Sequence, residues 1–303
     1  MTAPAVPVCY RHPGRETYVT CNRCGRPICP DCMTEASVGF QCPECVHAGR
    51  RTQRQPLTAF GGTRAGYAGY VTIALIALNV VGLLAGALIA GVPAVLGSGL
   101  FTGVTKLQMM FGSFAPTYEI ASNFVPPGSQ VGEVYTGIDD GAVYRLVTAM
   151  FIHYGIVHLL LNMWALWMLG RNLEAALGPV RFLALYLLSG LGGSIAAYLF
   201  SPGSITAGAS GAIFGMFAAL FVVLKRLRRD TSSVVPVLVI NLVLTFTIPN
   251  ISIAGHLGGL LVGALVAAGL AYAPRQGRTP VQVATIAGVA VVLAMLVVVG
   301  MVA

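Results

Sequence analysis

Residues 208–215 read GASGAIFG, and two apolar runs later residues 254–263 read AGHLGGLLVG. The first stretch sets Ser210 beside Gly211, with Gly215 one turn on; the second sets His256 beside Gly255, with Gly259 and Gly263 following at spacings of four. Glycines four apart share a helix face, and small residues at that spacing let two helix backbones pack closely in lipid. If the two faces meet, Ser210 and His256 meet at their first rungs. Depth agrees with that pairing. Ser210 lies fifteen residues before Lys225 and His256 seventeen before Ala273, or about 22 and 25 Å at a rise of 1.5 Å per residue. Both fall below the surface of a hydrocarbon core of about 30 Å. The stretch leading to Ser210, SPGSITAGAS (201–210), is small and polar, and non-helical backbone at such depth is tolerated only against protein or a water-filled cavity. The sequence describes a cavity opening to one side of a membrane.

Composition supports the membrane reading. The 303 residues are 56% hydrophobic and 9% charged, with a mean hydropathy of +0.80, whereas soluble domains carry about 25% charged residues. A water-soluble enzyme, a disordered chain and a disulfide scaffold are excluded together. Seven runs reach spanning length or near it, at 70–92, 146–169, 179–200, 208–224, 234–249, 252–273 and 281–302. They predict an all-α membrane protein. The net charge of +8 belongs to loop ends and calls for no nucleic-acid partner. Of eighteen Lys and Arg residues, only Lys106 and Arg145 fall in the alternate loops. The positive-inside rule then puts the N-terminus in the cytoplasm and the C-terminus outside, in the cell membrane. The first 30 residues contain no apolar run of signal-peptide length, so no cleaved leader is expected. The outer segment 93–145 is long, and its Leu107, Met109, Met110, Phe111 and Phe114 predict a short interfacial helix.

Ionisable and strongly polar groups inside spans are functional candidates. A serine within reach of a histidine is a minimal activated nucleophile, because the imidazole takes the proton as the hydroxyl attacks. Such a site needs donors for an oxyanion. His158 and Asn162 are four apart on one face of the second span, and with the Ser210 amide they could supply them. His153 precedes His158 by five residues and is expected on another part of that helix, in a structural role.

Taken together, the residues at 67–303 resemble the rhomboid family of intramembrane serine proteases. The motifs run in family order: YR at 144–145, HxxxN at His158 and Asn162, GASG at Ser210 and GH at His256. The resemblance implies a six-helix bundle, here with a seventh C-terminal span. It also implies a Ser210–His256 dyad needing no carboxylate and no cofactor, an oxyanion site at His158 and Asn162, and cleavage of membrane-anchored proteins near the outer face. A chaperone-like relative that binds client helices without cleaving them is the alternative. Tyr144 stands where tryptophan is usual, and Phe214 where many members have a tyrosine over the catalytic histidine. Arg145 is expected to anchor the outer loop, and Glu174 to brace cytoplasmic loops.

All seven cysteines precede residue 46. With His12 they form four pairs of two-residue spacing: Cys9/His12, Cys21/Cys24, Cys29/Cys32 and Cys42/Cys45. In a reducing cytoplasm such pairs are half-sites for tetrahedral zinc, and eight ligands make two structural ions. His47 is a rival to Cys45. The spacing resembles a B-box-type zinc finger, which implies that Cys9, His12, Cys29 and Cys32 share one ion and Cys21, Cys24, Cys42 and Cys45 the other. The expected organisation is a zinc module at 1–47 with a cytoplasmic protein partner, a linker at 48–69, and the membrane domain at 70–303.

Overall fold

The computed structural model describes residues 6–52, 56–64, 69–97 and 103–302; Arg54 and the linker positions 53–55 and 65–68 lie outside the described residues. The chain forms two compact units, Met1–Pro56 and Leu57–Ala303.

The first unit holds a 3-10 turn at Pro30–Cys32, a hairpin of β1 (Thr34–Glu35) and β2 (Phe40–Gln41), and helix α1 (Pro43–Thr52). Its buried cluster is Cys9, Cys21, Cys29, Cys32 and Cys42 with Ile28. One buried aliphatic side chain cannot offset the ordering entropy of some fifty residues, at about 1–2 kcal/mol each. The cysteines must hold the unit together by something stronger than packing.

In the second unit the order is α2 (Tyr70–Ala90), α3 (Val92–Leu96), α4 (Lys106–Phe111), strands β3 (Tyr118–Glu119) and β4 (Val134–Tyr135), and α5 (Arg145–Thr148). There follow α6 (Ile156–Leu177), α7 (Pro179–Phe200), α8 (Ser210–Arg226), α9 (Val234–Thr247), α10 (Ile253–Tyr272) and α11 (Arg278–Val302). Among the described residues α2, α7, α10 and α11 are each long and apolar enough to cross a bilayer, and α5–α6 make a fifth if counted as one broken span. α7 is the hub, with 61% of its apolar window buried against 6% for α11. α11 therefore faces lipid.

The second span departs from its expected bounds of 146–169. Arg145–Phe151 and Ile156–Leu177 meet at 91°, and the helix proper starts at Ile156. Gly155 turns the chain at φ +130°, a conformation that side-chain-bearing residues rarely adopt. The residues on both sides of the bend are apolar, so hydropathy alone reads through it. α8 and α9 are also shorter than a full crossing, at 17 and 14 residues. α8 is short because its N-terminus begins inside the bundle, at Ser210.

Backbone contact between α8 and α10 follows the two glycine series. A Cβ on Gly259 would stand 2.0 Å from the Gly211 carbonyl oxygen, and one on Gly263 would stand 2.3 Å from Gly215 Cα. α7 closes the third side, where a Cβ on Gly193 would lie 3.1 Å from Gly211 Cα. In lipid the hydrophobic effect does not drive helices together, so this dispersion-rich contact is what holds the three in register.

Two polar devices fix the periphery. Arg145 spans the connection before α6: its Nε donates to the Thr136 carbonyl at 2.7 Å and its Nη1 to those of Met109 and Gly112 at 2.8 and 3.1 Å. The guanidinium lies 3.9 Å over the Phe114 ring, and the Tyr144 hydroxyl donates to the Met110 carbonyl at 3.2 Å. The expected anchoring of the loop is thus present. α4 is the expected short helix, with Leu107 and Met109 buried. In the same connection the Glu133 carboxylate pairs with Lys106 at 2.7 Å. The Lys106 ammonium and the Tyr135 hydroxyl hold that carboxyl down at about 2.

Glu174 does a different task from the one expected. Fully buried on α6, it accepts from the amides of Val71 and Thr72 at 3.0 and 2.9 Å and from the Thr72 hydroxyl at 2.8 Å. It caps the positive end of α2 rather than a loop. Glu174→Ala leaves three donors unpaired, two of them buried, and should destabilise the unit by on the order of 3 kcal/mol, with Glu174→Gln intermediate. Thermal unfolding in one detergent checks this; wild-type melting in both variants would show that the cap is dispensable.

Part of the expected linker belongs to the helical unit. Phe60 is buried, Arg278 Nη1 donates to the Ala59 carbonyl at 3.1 Å, and Gln282 Nε2 donates to those of Phe60 and Leu270 at 3.1 and 2.8 Å. Arg181 Nε donates to Gln282 Oε1 at 2.7 Å. Residues 57–63 thereby clasp the start of α11 to the α6–α7 corner.

Candidate active site and metal groups

Ser210 is the first residue of α8, so its amide is among the unpaired donors at the positive end of a helix. Gly208 before it has φ +129°. A Cβ there would stand 2.8 Å from His158 Cε1, 3.1 Å from His158 Nε2 and 3.8 Å from Ser210 Oγ. The bare glycine lets the imidazole and the hydroxyl border one small space.

His256 enters from α10. Its Nε2 lies 2.9 Å from Ser210 Oγ. Phe214, one turn beyond Ser210, stacks on the His256 ring at 4.1 Å between centroids and 18° between planes. The aromatic support at this position is present, without a hydroxyl. His158 Nδ1 accepts from the Tyr154 amide at 3.4 Å, and a ring nitrogen that accepts carries no proton, which leaves the proton on Nε2. Asn162 Nδ2 donates to the His158 carbonyl at 2.9 Å, which holds the amide against the same turn of α6.

Ser210, His256, His158 and Asn162 all line one cavity of about 590 Å³, bounded by α6, α8 and α9 and walled by side chains such as Trp164, Phe217 and Leu244. A second cavity of about 40 Å³ lies beside Ser210, between Ala149, Ser194 and Thr206. It is roomy enough for a water molecule.

His153 is not on the α6 helix. It sits in the extended stretch before Ile156, fully buried, with its ring 5.0 Å from that of His158 at 64°. Neither of its ring nitrogens has a hydrogen-bond partner among the described residues. It backs His158 rather than facing the cavity.

One residue of the site was missed by reading the sequence. Thr245 of α9 lies 2.8 Å from His256 Nδ1 through its hydroxyl. A threonine in an apolar helix looks like β-branched filler. The available signal was its spacing of four from Asn241, another polar residue in a helix otherwise almost wholly apolar.

In the first unit the side chains of Cys9, His12, Cys29 and Cys32 converge, as do those of Cys21, Cys24, Cys42 and Cys45, with every ligand atom within 4.8 Å of the others in its group. His47 is in neither. His12 Nδ1 is 3.3 Å from Cys29 Sγ and 3.4 Å from Cys32 Sγ, and Cys24 and Cys42 Sγ are 3.8 Å apart. Zinc bonds of about 2.3 Å to sulfur and 2.05 Å to nitrogen, at tetrahedral angles, give edges of about 3.5 Å for N···S and 3.8 Å for S···S. The donor sets fit that ion. Burial acts to raise the Cys9 and Cys21 thiols, but backbone N–H donors, from Cys29 to Cys9 and from Cys42 to Cys21, outweigh it and bring both down to about 6. All seven cysteines are free of disulfides.

The family model for the rhomboid domain matches residues 140–273, downstream of the cysteine-rich unit. Over 145 residues the chain is 43% identical to the rhomboid protease GluP of Bacillus subtilis, covering 46% of this chain and 28% of GluP. Over 187 residues it is 35% identical to RHOMBOID-like protein 6, mitochondrial, of Arabidopsis thaliana, covering 57% of this chain and 60% of that protein. The Bacillus subtilis rhomboid YdcA is 36% identical over 136 residues, 43% of this chain and 68% of its own length. The chain thus spans less than two thirds of the length of the first two relatives.

Proposed function

Because the chain belongs to the rhomboid family, we propose that it is an intramembrane serine endopeptidase whose dyad is Ser210 and His256. One observation carries the reading: the 2.9 Å contact of Ser210 Oγ with His256 Nε2, on the wall of a cavity shared with His158 and Asn162. Ser210 Oγ attacks the scissile carbonyl while Nε2 takes its proton, and the resulting imidazolium returns that proton to the leaving amine. Water, deprotonated by Nε2, then releases the acyl group and restores the hydroxyl. The Ser210 amide, at the positive end of α8, together with His158 Nε2–H and Asn162 Nδ2–H, stabilises the oxyanion. No cofactor takes part in this chemistry.

The apolar cavity between α6 and α9 suits the unwound end of a substrate's own span, so the substrates are membrane-anchored proteins, cut near the outer face of the plasma membrane. The distribution of Lys and Arg supports an inside N-terminus. Residues 1–47 form a cytoplasmic module holding two structural zinc ions, the first by Cys9, His12, Cys29 and Cys32 and the second by Cys21, Cys24, Cys42 and Cys45. Its partner is a protein rather than a nucleic acid. A fluorophosphonate probe tests the enzyme reading against a non-catalytic helix-binding role: labelling should occur and be lost in Ser210→Ala. An unlabelled wild-type chain that still binds client helices would favour the second role.

The oxyanion groups should be graded. Asn162→Ala should lower turnover by about 10²–10³, the usual loss for one such donor, while Ser210 remains labelled. His158→Ala should be at least as severe, since it also opens the wall beside Gly208. His153→Ala should be milder, because that ring acts only through His158. Turnover of the three variants on one substrate decides; His153→Ala as the worst would overturn the assignment of donors.

A further inference from the structure

We propose that Thr245 is a positioning residue that fixes the tautomer and in-plane orientation of the His256 imidazole; this rests on Ser210 and His256 being the dyad. Thr245 Oγ1 lies 2.7 Å from the Asn241 carbonyl oxygen, which can only accept. The single hydroxyl proton is therefore given to Asn241, in the back-bonded geometry common for threonine in helices. At the 2.8 Å contact with His256 Nδ1 the hydroxyl must then accept, so Nδ1 carries the ring proton. Nε2 is left with its lone pair toward Ser210 Oγ, the one arrangement in which it can act as base.

Without that acceptor the two neutral tautomers are similar in energy, and the Nε2–H form would present a proton to Ser210 instead of a lone pair. Phe214 holds the face of the imidazole but leaves it free to turn within its plane. Thr245 holds its edge. During the reaction the Ser210 proton moves to Nε2, the Nδ1 proton stays between the ring and Thr245, and the threonine proton stays on Asn241. The imidazolium thus gains a charge-assisted donor bond to Thr245 that strengthens as the charge forms. Placement argues for a dedicated role. Thr245 is 2% exposed, and besides Val234 it is the one buried residue of α9. The helix that walls the cavity therefore reaches the dyad through a single hydroxyl.

Thr245→Val keeps the volume and β-branching and removes the acceptor. In the full chain, kcat on a single-pass substrate should fall about 10–100-fold, as for loss of a hydrogen bond to a charged group, with KM and thermal unfolding unchanged. Thr245→Ser should restore kcat. The ¹⁵N signals of His256 give a readout independent of activity: wild type should show protonated Nδ1 and bare Nε2 at neutral pH, and Thr245→Val should show the two tautomers mixed. A folded Thr245→Val with wild-type kcat, or a protonated Nε2 in the wild-type chain, would overturn the proposal. Ser210→Ala is the separate control: cleavage surviving in it would remove the dyad itself, whereas its loss beside an active Thr245→Val would remove only the role of Thr245.

Discussion

Ser210→Ala and His256→Ala are each expected to reduce cleavage by about 10⁴-fold or more, the scale on which losing the nucleophile or its base slows acyl transfer. The geometry gives a second, sharper expectation. The 2.9 Å contact makes the two groups one unit, so the double variant should be scarcely slower than either single one. Neither change should unfold the helical unit. Ser210 is the half-buried first residue of α8, bordering the cavity, and the backbone contacts that hold α8 to α10 begin at Gly211 and run away from it. Cleavage of a single-pass substrate in detergent, with melting temperature as the control, measures both statements. Robust turnover in either single variant would remove the dyad from the account.

Zinc removal should have the other large effect, confined to the first unit. Apparent binding energies for structural zinc in small modules run to about 10–16 kcal/mol per ion, and Ile28 with five cysteines is no hydrophobic core by itself. Elemental analysis should find about two zinc ions per chain from eight ligands. A strong chelator should render residues 9–45 protease-sensitive while proteolysis of a membrane substrate by the same chain persists. A metal-free chain whose N-terminal unit stays protected would refute the structural role of the metal. Cys24→Ser is a finer probe of the same idea: it removes one thiolate and should halve the zinc content.

The meeting of Ser210 and His256 could be read from the sequence because both residues announce themselves twice. Ser210 and His256 each adjoin a glycine at the head of a fourfold-spaced series, and each is a polar residue where lipid or packed helix would favour an apolar one. The cysteine pairs are legible for a similar reason, since their spacing has little other use. What stayed hidden has a common physical cause. The 91° break before Ile156 is apolar on both sides and is written only in the backbone angle of Gly155. The segment 57–63 has the composition of a linker, yet its carbonyls are bonded by side chains more than two hundred residues away. Thr245 is invisible because a hydroxyl that bonds back to its own helix looks satisfied, until the second contact of the same oxygen is seen.

That clasp at 57–63 also imposes an order of events on synthesis. Its carbonyls leave the ribosome before any helix of the second unit, but their donors, Arg278 and Gln282, belong to α11 and follow all the other helices described. Closure therefore waits for α11, more than two hundred residues further along the chain. In a nascent chain stalled before residue 278 the Ala59 and Phe60 carbonyls lack these donors.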